Sequence, residues 1–134
     1  MFIKEAAEKL GIEAHTIRYY EQEGLLPFVG RDQSGRRVFN EADLSWLDLI
    51  TCLRITDISI AELKKIVELT QEGEWTIDQR KEIILRHKAK LLEEQKKLDK
   101  AFKKIAQKLN YFDDLKEKYN NRLLASDMKK TELV

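Results

Sequence analysis

One proline, five glycines and a single cysteine in 134 residues leave little material for tight loops, cross-links or clustered thiol ligands. Cys52, standing alone, excludes an internal disulfide and any zinc site built from several cysteines of one chain. No run approaches the roughly 20 consecutive apolar residues that a bilayer-spanning helix needs. Met1 to Leu10 is amphipathic and carries acidic residues, so it does not read as a signal peptide. The expectation is a cytoplasmic chain with no membrane attachment. Catalytic signatures are missing too. There is no Cys-His-Asp pattern of recognised spacing and no phosphate-binding glycine loop, and His87 has no acid partner that spacing would supply. No enzyme activity, cofactor or bound metal is expected.

What is abundant is charge. Asp, Glu, Lys and Arg make up 37% of the chain against a usual quarter or so, which favours long solvated helices over a large core. The net charge of +1 decides nothing, and its distribution is awkward. Residues 1–58 hold seven Lys and Arg against ten Asp and Glu, while residues 59–134 hold 18 against 14. Any nucleic-acid reading of the first half must rest on where its cations sit, not on their number.

Ile3, Ala6, Ala7 and Leu10 recur at helical spacing, and Gly11 ends that helix as a left-handed cap would. A second helical segment follows Ile12, carries Ala14, Ile17 and Tyr20, and runs to about Gln22 before Gly24 and Pro27. Two short helices joined by a tight glycine turn fit a helix-turn-helix, and equally a plain helical hairpin. Then Asp32, Ser34 and Gly35 form a turn between short β-prone segments, so residues 29–39 read as a small hairpin. Arg31, Arg36 and Arg37 cluster on it with only Asp32 of opposite sign nearby. A hairpin after a helix-turn-helix is a wing, and its cations can reach phosphates of an adjoining groove.

Asn40 followed by Glu41 and Asp43 is an N-cap with first-turn acids, opening a helix to about Thr56 with Leu44, Leu47, Ile50 and Leu53 on one side. Ser59 with Glu62 forms a capping box for another helix, stopped by Gly73. From Asp78 to Tyr119 there is neither proline nor glycine. Ile77, Ile84, Leu91, Leu98, Ile105, Phe112 and Tyr119 repeat every seven residues. The second seam position is polar at His87/Lys88 and Glu94/Gln95, and is partly filled later by Ala101/Phe102, Leu109 and Leu115. About 42 residues at about 1.5 Å each give a rod of about 60 Å, too long for a small head to cover. A partner helix is required, and a second copy is the simplest one. Ile84, Leu91, Leu98, Ile105 and Phe112 are assigned to that dimer seam.

Ile3 to Leu26 (IKEAAEKLGIEAHTIRYYEQEGLL) and Gly35 to Leu44 (GRRVFNEADL), followed by the heptad helix, resemble the MerR family of transcription regulators. The specific portions are Thr16-Ile17-Arg18-Tyr19-Tyr20-Glu21 with Gly24-Leu25-Leu26, and Gly35-x-Arg37-x-Phe39 before the acidic helix start. The resemblance implies an all-α fold with a small β-hairpin wing. It sets a winged helix-turn-helix head at 1–73, an antiparallel dimeric coiled coil at 77–119 and a short polar tail at 120–134 with no separate effector domain. It also implies double-stranded promoter DNA as partner, bound by a homodimer, with RNA polymerase engaged indirectly. Family dimers bend and untwist promoter DNA so that overly separated −35 and −10 elements realign. By the same resemblance the second helix enters the major groove with His15, Thr16, Arg18 and Tyr19. Arg18 fits either a guanine or a phosphate. Arg36, Arg37 and Lys64 are implied phosphate contacts. Glu13 replaces the usual serine or threonine at the helix start, and His15 replaces the usual arginine.

The segment Trp46-Leu47-Asp48-Leu49-Ile50-Thr51-Cys52-Leu53-Arg54 is similar to the branch of that family that answers aldehydes and other electrophiles through one cysteine. Read from chemistry alone, Cys52 is either a small buried hydrophobe or a thiolate sensor. The rival to the whole assignment is a coiled-coil adaptor whose head binds protein. The tyrosine pair and the wing arginines argue against it.

Overall fold

The computed structural model describes the backbone of residues 1–132 and side chains as far as Lys129. Five α-helices and one two-stranded hairpin appear among them: α1 (Ile3–Leu10), α2 (Ala14–Gln22), β1 (Gly30–Arg31), β2 (Arg37–Val38), α3 (Glu41–Ile55), α4 (Ile60–Glu72) and α5 (Ile77–Glu132). The chain divides into two compact units, residues 1–89 and 90–134, with the boundary inside α5.

Three helices of the first unit stop in the same way. At the end of α1, Gly11 N–H bonds Glu8 O and Ile12 N–H bonds Ala7 O, and at the end of α2 the pairs are Gly24 to Glu21 and Leu25 to Tyr20. Each glycine has positive φ, and each following residue turns inward. At the end of α3 the pattern recurs through Asp57 N–H to Arg54 O and Ile58 N–H to Leu53 O, but the left-handed residue is Asp57 at φ 70°. α3 also opens on a reciprocal capping box, Asp43 N–H to Asn40 Oδ1 at 2.8 Å and Asn40 N–H to Asp43 Oδ2 at 2.9 Å. Ser59 Oγ accepts from Glu62 N–H at 3.0 Å, while the hydroxyl donates to the Glu62 carboxylate at 3.3 Å. α2 starts at Glu13 with no side-chain cap, as the departure at that position implied.

One apolar core joins α1, α2, α3 and α4. Ile17, Leu25, Leu47, Ile50 and Leu63 have no exposed surface, and Tyr20, Phe39 and Leu44 are buried beside them. The start of α5 joins the same unit. Ile83 packs with Ile66 and Leu69, and Ile84 rests half-buried against the core. His87, expected as a polar seam position, is instead buried, with Nε2 2.8 Å from Thr56 Oγ1 at the end of α3. The seven-residue period does not register this because residues 83 and 87 lie beside the 84–91 stripe on a neighbouring helical row. A joint at Thr76 fixes the entry to α5. Its fully buried hydroxyl lies 2.6 Å from Leu69 O and 2.7 Å from Gly73 O, and it accepts from Arg80 Nε at 3.1 Å.

In the second unit the helix expected to give way to a tail after Tyr119 continues to Glu132. Asn120 and Asn121 weaken helix there without stopping it, and Leu123, Leu124, Ala125 and Met128 restore it. The last residues of that expected tail, Leu133 and Val134, lie outside the described residues. Leu98, Ile105 and Phe112 are each more than half exposed on the single chain, so the heptad stripe has no cover from its own unit.

Candidate nucleic-acid interface

α2 and the hairpin make one continuous polar face. His15, Arg18 and Tyr19 are exposed on one side of α2 at i, i+3 and i+4, whereas Ile17 and Tyr20 point into the core. Thr16 is half-buried in the first turn. Arg18 makes no hydrogen bond or ion pair among the described residues, which leaves its guanidinium available. Burial pushes the Tyr20 phenol above its ordinary value, against the opposing pull of Arg54 and a hydrogen bond with Thr51. Of the two tyrosines, Tyr19 alone presents its ring to solvent.

The hairpin pairs only Gly30 with Val38 and Arg31 with Arg37. Its tip is organised by Asp32, whose Oδ1 accepts from Ser34 N–H and Arg36 N–H at 2.9 Å each, and whose Oδ2 accepts from Arg36 Nε at 3.2 Å. These bonds, the Arg36 backbone N–H first, hold the Asp32 carboxyl below its ordinary value. The Arg36 guanidinium sits 4.1 Å above the Phe2 ring, and 63% of its side chain remains exposed. Arg31 Nη1 donates to Gly35 O at 2.6 Å.

Arg18, Arg31, Arg36 and Arg37 converge on an open depression of about 360 Å³ floored by Phe2 and Ile3. The sequence suggested that Asp32 was the only acid among the wing cations. Folding brings in Glu21, which accepts from Arg37 Nε and lies 3.5 Å from Arg31 Nη2. Two other residues singled out in the sequence, the implied phosphate contact Lys64 and the candidate sensor Cys52, sit elsewhere. Lys64, exposed on α4, is ion-paired with Glu23 at 2.9 Å and does not line the depression. Cys52 is exposed on α3, not buried, and its carbonyl accepts from Thr56 N–H at 3.3 Å and from Thr56 Oγ1 at 3.1 Å.

A second cavity, of about 570 Å³ and almost wholly apolar, lies between α3, α4 and the start of α5. Phe28, Trp46, Leu49, Ile77 and Ile84 line it, and Trp46 Nε1 donates to Leu25 O at 2.8 Å across the core. Nothing in the sequence singled it out, because its walls come from four separate segments. No three His, Cys, Asp or Glu residues gather as a metal site among the described residues, and no described helix is long and apolar enough to cross a membrane.

Comparison with known proteins agrees with this geometry. Residues 1–70 match the family model described as MerR HTH family regulatory protein. An uncharacterized HTH-type transcriptional regulator of Haemophilus influenzae is 51% identical over 75 residues, 56% of either chain. The HTH-type transcriptional regulator AdhR of Bacillus subtilis is 39% identical over 93 residues, 69% of this chain and 66% of the relative. The chain thus spans just over half and about two thirds of these two relatives. Among solved structures, HiNmlR, a MerR family regulator lacking the sensor domain and bound to promoter DNA, superposes with a TM-score of 0.77 at 36% identity. That match covers 86% of this chain and 91% of the other. With its head matched from the first helix through the fourth, this chain belongs to the MerR family of helix-turn-helix transcriptional regulators.

Proposed function

We propose that the chain is a transcription regulator that binds double-stranded promoter DNA as a homodimer in the cytoplasm. The single observation that carries this reading is Arg18, which has no hydrogen-bond or ion-pair partner among the described residues and lines the cationic wing depression from the exposed face of α2. α2 enters the major groove with His15, Thr16, Arg18 and Tyr19, and the wing and Lys64 meet phosphates on either side. The dimer forms through Leu91, Leu98, Ile105 and Phe112, with Ile84 at the edge of the seam, and the two helices run antiparallel. Two heads held by one rod bend and untwist the duplex between half-sites, so polymerase is recruited through the DNA it sees. Gel shifts on the DNA upstream of its own gene test this. Arg18→Ala is expected to cost about 1–3 kcal/mol of specific binding. Equal binding by wild type and variant refutes the placement of α2 in the groove.

Within that reading, Cys52 senses electrophiles. Its thiolate adds to an aldehyde carbonyl carbon, and the resulting alkoxide takes the proton that the thiol released, giving a hemithioacetal. What supports this is exposure together with connection: Thr56 bonds the Cys52 carbonyl on one side and His87 of α5 on the other. Thr56 meets the Cys52 main chain and not its thiol, so in this reading an adduct acts by its bulk on α3, one helical turn before the Thr56–His87 contact through which α3 meets α5. A Cys52→Ser variant is expected to bind DNA normally and to leave its promoter unresponsive to aldehyde. Full induction in that variant removes Cys52 from the mechanism.

A further inference from the structure

A two-pair hairpin is too short to hold its own orientation, since isolated two-stranded ribbons are marginal in water even when longer. Something outside the wing must set its angle to α2. The acid in the cationic depression is otherwise hard to account for, because a carboxylate there repels the phosphates that the arginines attract. Glu21 lies one turn beyond Arg18 on α2 and accepts from Arg37 Nε of β2. The same Arg37 donates Nη1 to Val29 O at 2.6 Å, gripping the segment that leads into β1. Only 24% of the Arg37 side chain is exposed, against 54% for Arg31 and 63% for Arg36.

We propose that Glu21 is a positioning residue and Arg37 a strut between α2 and the wing, so that Arg31 and Arg36, not Arg37, face phosphate. The inference rests on the DNA-binding reading for its consequence, though not for its geometry. Arg37 commits Nε to the Glu21 carboxylate and one Nη1 hydrogen to the Val29 carbonyl, and it is the least exposed of the three wing arginines, so it is the least accessible of them to a phosphate. Arg36 keeps its guanidinium over Phe2 at the rim, held in place by Asp32, with an exposed edge toward solvent.

The test compares salt dependence and affinity on one promoter fragment between about 50 and 200 mM salt. Arg36→Ala is expected to flatten the slope of log K against log salt by about 0.9 per protomer, or about 1.8 for a dimer. Arg37→Ala is expected to weaken binding about tenfold and to leave the slope at the wild-type value. Glu21→Gln is expected to weaken binding about three- to tenfold, although removing a negative charge near DNA by itself tightens binding. In the Arg37→Ala background that cost shrinks, because the two residues act as one unit. Amide exchange at Asp32 and Gly35, measured on the free protein, is expected to accelerate in both variants and reports the strut without DNA. An Arg37→Ala slope as shallow as that of Arg36→Ala, tighter binding by Glu21→Gln, or unchanged wing exchange overturns the proposal. A slope that no substitution on α2 or the wing moves, with accelerated exchange intact, overturns the DNA reading and leaves the strut standing.

Discussion

Replacing Thr76 by Val isolates the joint between α4 and α5, because the two side chains have nearly the same shape and only the hydroxyl is lost. That hydroxyl has one proton to give, to Leu69 O or Gly73 O, and accepts one bond from the Arg80 guanidinium. Both carbonyls keep a backbone donor, Gly73 N–H at 3.3 Å and Thr76 N–H at 3.2 Å, which limits the damage. One neutral hydrogen bond of about 1 kcal/mol and one to a charged group of about 1.5 kcal/mol give an expected loss of about 2.5 kcal/mol. Thr76→Ser keeps the hydroxyl and removes one buried methyl, so it costs about 0.8 kcal/mol. Urea unfolding at one fixed protein concentration separates the two, with the Val variant the weaker by about 1.7 kcal/mol. If Ser is as destabilised as Val, the site is held by packing and the hydrogen-bond argument fails.

Three further outcomes follow from the same structure. Leu98→Lys puts an unpaired charge in the proposed seam and is expected to raise the dimer dissociation constant by at least about 100-fold in sedimentation; an unchanged dimer moves the interface elsewhere. Burial raises the Tyr20 phenol above about 10 in the folded state. The stability linked to it is therefore present below the unfolded value and lost as pH climbs through the folded one. Tyr20→Phe is expected to flatten the decline of thermal stability above about pH 10, and an identical decline in both proteins excludes Tyr20 as its source. Asp57→Gly relieves the left-handed strain at the end of α3 and is expected to stabilise the head by about 0.5 kcal/mol in urea unfolding, with destabilisation as the contrary result.

Legibility in the sequence tracked the range of the interaction. Gly11 and Gly24 announce their helix ends because a left-handed residue after an apolar period is a local signal. Asp57 closes α3 by the same backbone geometry but carries no such signal, since aspartate is common in many other settings. The hairpin turn was readable from Asp32, Ser34 and Gly35, yet the acid facing its arginines was not. Glu21 reaches Arg37 across 16 residues and a change of element. His87 shows the same limit. A polar residue on a heptad helix looks solvated until the end of α3, 31 residues earlier, supplies a threonine to meet it. The end of α5 is hidden in the sequence for a simpler reason, that two asparagines weaken a helix without ending it. Within the proposed site, the α2 residues were readable because they share one short helix, whereas the roles of Arg36 and Arg37 depend on contacts that only folding creates.

Hydroxyl-radical footprinting of the purified protein on its own upstream promoter tests the central claim most directly. The account predicts two protected half-sites related by a dyad and centred about 34 Å, or a multiple of it, apart along the duplex, with both lost together in Arg18→Ala. Protection of one isolated half-site, or a footprint that Arg18→Ala leaves intact, contradicts it.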